Sequence, residues 1–399
     1  MDKPSTAIRG TLLIDGELVA HATVLVSKGR IAVAGRSDQV SVPDGVKVID
    51  VADRYVLPGF IDILNHGWAG FRPEDDAVGM ARKLIEVGTT CFLPSLVSNE
   101  LPKMLEAADH VRTCTGPVDG GATIEGIHLE GPFFNPKYGM QRSQTNIEPD
   151  ADSVRQFIEH CGNSLKMVTI APERSGALEA IGAFCRAGAT VAIGHSDADE
   201  TEYLAGRRAG ITHATHLFNA MSPKKWPTSA TYDGTKLVGV EELILADDQI
   251  SADIMCDLNA IHVNPVMMKI ALKCKGPHRL ALMSDSMLVG GLPPGEHLMA
   301  DGQSAVTRPD DDIARLPDGT LCGGAMCLRD NVRNCMHHTG ANLATAVTMA
   351  TETPARVINI FDRKGSIAAG KDADLVVLDR QLQIAGVMVE GRICMPFDV

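Results

Sequence analysis

Three times in the middle of this 399-residue sequence, a helical pattern stops at a glycine and an apolar run begins at once. The stretches are ARKLIEVGTTCFLPS, AFCRAGATVAIGHS and LAGRRAGITHATHL, with the glycines at Gly88, Gly188 and Gly210. A helix commonly ends on a residue with positive φ, which glycine adopts without a Cβ penalty. Helix, glycine, strand in repetition predicts βα units and a parallel sheet. Eight β-rich runs can be counted between Leu57 and Asp285: LPGFIDILNH, TCFLPS, TIEGIHLE, KMVTIAPE, TVAIGH, THATH, SADIMC and RLALMSD. Eight such runs with helices between them favour an α/β fold of the (β/α)8, TIM-type barrel kind. An open, doubly wound sheet is the alternative that the pattern leaves standing. Helical stretches around Ala325 to His337 and Leu343 to Ile360 would close the barrel.

The two ends have a different texture. ATVLVSKGRIAVAG reads as a hairpin with Lys28 and Gly29 at the turn, and VKVIDVADRYVLPGF continues in that style. Near the C-terminus, DADLVVLDRQLQIAGVMVEGRIC holds two more β-rich runs and a turn at Glu390-Gly391. The expected layout is a small β-sandwich domain built from residues 1–56 and 366–399, with a barrel over 57–365.

Composition narrows the function. Lys plus Arg is 37 and Asp plus Glu is 50, a formal net charge of −13. An acidic chain without a long basic run is a poor partner for nucleic acid or an anionic membrane. A small anionic substrate needs only a local positive pocket and stays open. No apolar run is long enough to span a bilayer, and MDKPSTAIRG lacks the apolar core of a signal peptide, so a cytoplasmic location is expected. The ten cysteines form no C-x-x-C pair and read as reduced, mostly packed thiols.

Polar residues stand at the ends of several β-rich runs: His66, Glu130, His195, His216 and Asp285. All strand C-termini of a barrel open on one face, where residues distant in sequence converge. His195 and His216 are 21 residues apart, the length of one loop, one helix and one strand, with Asp197 or Asp199 as the helix N-cap. Two imidazoles and a carboxylate suit zinc or a similar divalent ion with one position left open. Asp285 is then the natural general base. Any one of these residues alone is more often a satisfied polar group; four at four separate strand ends are harder to dismiss. His128, two residues from Glu130, is either a substrate neighbour or a buried hydrogen-bonded histidine. Asp62 raises a similar question in GFIDILNH. The stretch GITHATHLFNAM carries His213 and His216 three apart. On a strand they point to opposite faces. His216 is expected at the metal, and His213 is expected to pack against the surrounding helices.

PGFIDI, GIHLEGPF, TIAPE, GHSDA, ATHLFNAM, MSDSM and GSIAAGKDADLVVLD run in this order along nearly the whole chain. In these motifs the sequence resembles the amidohydrolase superfamily, and within it the N-acetylglucosamine-6-phosphate deacetylase family. The resemblance implies a metal-bearing (β/α)8 barrel, a β-sandwich from both ends, an amino-sugar substrate and a homodimer. Glu130, His195 and His216 match the family's metal ligands, and Asp285 its catalytic aspartate. Asn219, Ala220 and His262 match substrate-binding positions. The metal is one divalent ion, zinc by default, with iron, cobalt or manganese suited to the same donors.

The departures are informative. Many amidohydrolases carry H-x-H after the first strand; here the text is Leu64-Asn65-His66, which predicts one metal ion, with His66 either near it or merely packed. Gln141 stands where the family commonly has a substrate-contacting histidine. The family's phosphate-binding arginine is missing from SPKKWPTSATYDG, leaving Lys224 or Lys225 as a point charge in place of a bidentate clamp. The expected activity is removal of an N-acetyl group from N-acetylglucosamine 6-phosphate. An unphosphorylated amino sugar or another N-acyl substrate is the alternative, and a non-catalytic sugar-binding protein a third.

Overall fold

The computed structural model describes residues 5–139, 145–221, 238–298 and 304–398. Eight parallel strands form its centre: β1 (Phe60–Asn65), β2 (Thr89–Val97), β3 (Ile127–Glu130), β4 (Leu165–Ile170), β5 (Thr190–Ile193), β6 (Ile211–Ala214), β7 (Ser251–Ile254) and β8 (Leu280–Leu282). They lie side by side in chain order, and a two-residue strand, Thr123–Ile124, pairs on β2. The ring is completed where Asn65 bridges Ser286, the His66 amide donates to the Ser286 carbonyl (2.8 Å) and the Asp285 amide donates to Leu64 (3.0 Å). That closure decides for a barrel over an open sheet.

Each strand has two covered faces, so it reads as a continuous apolar run. Ile61, Ile63, Cys91, Leu93, Met167, Ala192 and Ala281 pack inside, and Ala355, Val357, Ile358 and Ile360 join them. The outer layer is α1 (Pro73–Ile85), α2 (Leu101–Cys114), α3 (Ala151–Cys161), α4 (Ala177–Arg186), α5 (Glu200–Ala209), α6 (Val240–Ala246), α7 (Pro265–Lys275) and α8 (Leu328–Thr339). The expected final helix is two, α9 (Leu343–Ala350) and α10 (Glu352–Val357), broken at Thr351. Asp199 is the cap of α5, with Glu202 completing a capping box. Gly210 has φ +132°, and a Cβ there would lie 2.6 Å from the Cys185 sulfur.

The chain ends share one seven-stranded sheet, in the order 392–395, 384–389, 375–378, 47–58, 6–14, 17–27, 30–36. Lys28 (φ 48°) and Gly29 (φ 79°) make the first expected turn, Glu390 (φ 47°) and Gly391 (φ 74°) the second. Both have the two positive φ values of a tight hairpin. Lys364, 1% exposed, ties the sheet to the barrel: its ammonium lies 2.6 Å from Asp374 and 3.1 Å from Asp372. Burial alone would push its pKa down; the charge of Asp374 outweighs that and holds the amine protonated.

One element was not foreseen. Between β8 and α8, four short antiparallel strands (Gly295–Leu298, Ser304–Thr307, Ile313–Arg315 and Leu321–Gly324) form a separate sheet beside the barrel mouth.

Candidate functional site

The C-terminal ends of the strands open on a cavity of about 330 Å³. Glu130 is the last residue of β3; His66 follows β1 directly, while His195 and His216 each lie two residues past a strand. Asp285 lies three past β8. The donor atoms of Glu130, His195 and His216 lie within 4.8 Å of one another. Glu130 Oε1 is 3.3 Å from His195 Nε2 and 3.1 Å from His216 Nε2; the two ring nitrogens are 2.8 Å apart. His66 Nε2 sits 2.9 Å from Glu130 Oε2 and 3.2 Å from Asp285 Oδ1. Its Nδ1–H donates to the Ser95 carbonyl at 2.8 Å.

The backbone here is unusual. His195 (φ 48°), His216 (φ 37°), Phe218 (φ 80°), Ala220 (φ 50°) and Asp285 (φ 47°) all occupy the left-handed region. Non-glycine residues stay there only where their surroundings hold them, and such residues gather at functional sites.

One buried and one half-buried imidazole and a buried carboxylate converging from three strands make a donor set that fits a divalent cation with N and O ligands. Electrostatics agree. Burial would raise the Glu130 pKa, but His66, His195 and His216 outweigh it and hold the carboxylate ionised. Burial would lower His216, yet its bond to Glu130 carries it up to about 9. His195 goes the other way, pushed down by burial and by His216. A cation at this site therefore displaces a proton from His216.

The cavity wall brings in Asn219, Ala220 and His262 together with Val97, Phe134 and Tyr138. Phe134 stacks on His195 with centroids 3.9 Å apart. The unforeseen sheet contributes Thr320, Leu321, Cys322 and Gly323. Gln141, Lys224 and Lys225 lie outside the described residues. His128 is fully buried and spends both ring nitrogens on Ser95 (3.1 Å) and Thr169 (2.8 Å), as a core histidine does; burial pushes its pKa to about 4.

His213 corrects an expectation. It does not pack on the helices. A register shift between β5 and β6 sets it beside Ala192, which faces the barrel interior. There its Nε2–H donates to Asp253 at 3.0 Å.

Residues 55–394 match the Amidohydrolase family. The chain belongs to this family. Within it, the chain is 31% identical to the N-acetylglucosamine-6-phosphate deacetylase of Bacillus subtilis (strain 168) over 390 residues, covering 96% of this chain and 95% of the relative. It is 28% identical over 356 residues to the N-acetylgalactosamine-6-phosphate deacetylase of Escherichia coli O157:H7, covering 88% and 90%. The solved N-acetyl-D-glucosamine-6-phosphate deacetylase of Mycobacterium smegmatis, a mutant in complex with N-acetyl-D-glucosamine-6-phosphate, superposes with a TM-score of 0.86 at 27% identity, covering 98% of this chain and 99% of that one.

Leu64, where an H-x-H motif would place its first histidine, packs with Met255, Met283 and Met326 and offers no donor. Two carboxylates support the site from behind: Glu173 was not singled out from the sequence, and Asp62 was raised there only as a question. Glu173, inside TIAPE, accepts from Ser196 Oγ (2.7 Å), the Asp197 amide (2.6 Å) and Asn135 (3.0 Å), clamping the loop that carries His195. Asp62 accepts from Ser284 Oγ (2.6 Å) and Asn65 (3.0 Å), fixing the residue before Asp285.

Burial raises the Asp62 pKa to about 6. The native state then holds a proton that the unfolded chain has released, so this stabilisation is present below about pH 4 and is lost as pH rises through 6. The shift corresponds to about 3 kcal/mol. Asp62→Asn is expected to flatten that part of the stability–pH curve. Urea midpoints of both proteins between pH 4 and 7 check it; parallel curves refute it.

Proposed function

We propose that this amidohydrolase removes the acetyl group from N-acetylglucosamine 6-phosphate, giving glucosamine 6-phosphate and acetate. The observation that carries the reading is Asp285 at the edge of the Glu130–His195–His216 set, in a chain that matches such deacetylases over nearly its full length. When bound, the divalent ion polarises an amide carbonyl and makes water more acidic. Asp285 takes the proton from the attacking water and delivers it to the departing amine, so that the C–N bond breaks towards a neutral leaving group. His66, bonded to Glu130 and Asp285, holds the Asp285 carboxylate in its orientation. Asn219, Ala220 and His262 hold the sugar; Asn219 Nδ2 is buried with no partner among the described residues.

Leu64 in its apolar cluster supports a single ion, and the N and O donors support zinc, with iron, cobalt and manganese compatible. Free cysteines at all ten positions support a reducing, cytoplasmic setting, and among the described residues no helix is long and apolar enough to cross a membrane. The family resemblance supports a homodimer.

No lysine or arginine is among the described residues lining the cavity. We therefore assign the cationic contact to the 6-phosphate to Lys224 or Lys225. Rates on N-acetylglucosamine with and without the 6-phosphate test the substrate. The phosphorylated sugar is expected to win on kcat/KM, and equal use of both rejects the phosphate reading. Replacing both lysines with alanine is expected to raise KM for the phosphorylated sugar by about 10–100-fold, the worth of one charged hydrogen bond.

A further inference from the structure

We infer that Asp253 is the positioning residue for His216, acting through the backbone. The inference rests on the metal-site reading above. A ligating histidine is commonly aimed by a partner on its second ring nitrogen. Among the described residues His216 has none: its Nδ1 is buried without a hydrogen-bond partner. His195 is held by the stacked ring of Phe134, but among the described residues no such ring lies flat on His216, which meets His195 edge-on. The direction of the His216 ring therefore depends on its main chain, which lies beyond the end of β6 with φ 37°.

Asp253, on β7, holds that main chain twice. Its Oδ1 accepts from the His216 amide, and its carbonyl accepts from the Leu217 amide at 2.9 Å. The carboxylate itself is locked. Oδ2 accepts from His213 Nε2 at 3.0 Å, and His213 Nδ1 meets Ser251 Oγ at 2.8 Å. His213 and Asp253 are both 0% exposed. A fully buried carboxylate needs such partners, and this one uses half of its capacity on a single strained amide. The two histidines of THATH thus serve one purpose. His216 reaches the site, and His213 fixes the carboxylate that aims it.

Zinc affinity by chelator competition tests this on the full-length wild type, Asp253→Ala and Asp253→Asn. Asp253→Ala is expected to weaken zinc binding about 10–100-fold, as loss of an outer partner does. Asp253→Asn keeps an oxygen for the His216 amide and is expected to stay close to the wild type. A merely structural Asp253 would lower the urea midpoint of the zinc-free protein in both variants and leave affinity unchanged. Wild-type affinity in Asp253→Ala, or an equal loss in Asp253→Asn, overturns the inference. Should Asp253→Ala not fold, hydrogen exchange of the wild-type protein decides: the His216 amide is expected to exchange slowly although it lies outside any strand, and loop-like exchange overturns the role. A wild type that takes up no zinc sinks the metal reading, and the same amide exchange still decides the role of Asp253.

Discussion

Asp285→Asn is expected to lower kcat by about 10²–10⁴-fold, the usual worth of a positioned acid–base group. Asparagine matches aspartate in shape and still accepts a hydrogen bond, but it cannot take up a proton at neutral pH. The backbone of residue 285 is fixed independently of its side chain, by the Leu64 carbonyl (3.0 Å) and the Gly324 amide (2.7 Å). The variant should therefore fold and keep the geometry of Glu130, His195 and His216. Metal content and kcat measured on the same sample separate the two effects. Full turnover in a metal-loaded variant would remove Asp285 from the mechanism. Lost turnover with lost metal would make it a ligand instead.

Glu130→Ala is expected to weaken metal binding by more than roughly 100-fold, since loss of an outer partner alone costs about 10–100-fold. Glu130 is the hub of the site: one oxygen faces His195 and His216, the other faces His66. Without it, the imidazoles of His66, His195 and His216 lose the charge that offsets their desolvation. In the intact protein His216 is held up to about 9, so metal and proton compete for its ring. Apparent affinity should rise by about tenfold per pH unit up to roughly that value, for the one proton displaced. Calorimetric titrations in buffers of different ionisation enthalpy count that proton. A pH-independent affinity, or an unchanged one in Glu130→Ala, contradicts this account of the site.

Much of this layout was legible because a barrel strand covered on both faces cannot hide its pattern. All eight β-rich runs became the eight strands, and Gly88, Gly188 and Gly210 have the positive φ expected of them. Glu130, His195, His216 and Asp285 were visible because each follows an apolar run that ends abruptly. What could not be read depends on contacts between elements distant in sequence. Side-chain alternation along THATH assumes one unbroken strand, but β6 ends at Ala214 and His216 lies past it with φ 37°, so the two histidines need not face opposite ways. Asp253 is one acidic residue within SADIMC; only the fold places it under the His216 amide. The sheet over 295–324 is made of strands three or four residues long, too short for alternation to emerge. Thr351 breaks the last helix by a local turn of the backbone (φ −136°, ψ −72°) within an otherwise helix-compatible stretch.

The seven-stranded sheet also sets an order of events during synthesis. The strand Lys47–Pro58 pairs on one side with Thr6–Ile14, its near neighbour in sequence, and on the other with Leu375–Leu378. While the barrel is being translated, that second edge has no partner. At about 5–20 residues per second it stays open for roughly 15–60 s. An unpaired edge is a template for wrong pairing with another nascent chain. The part of that edge that waits for Leu375–Leu378 is Tyr55–Pro58, and the charged Asp53 and Arg54 stand immediately before it. Their charges are the kind of side chain that keeps an edge single until its own C-terminal partner leaves the ribosome.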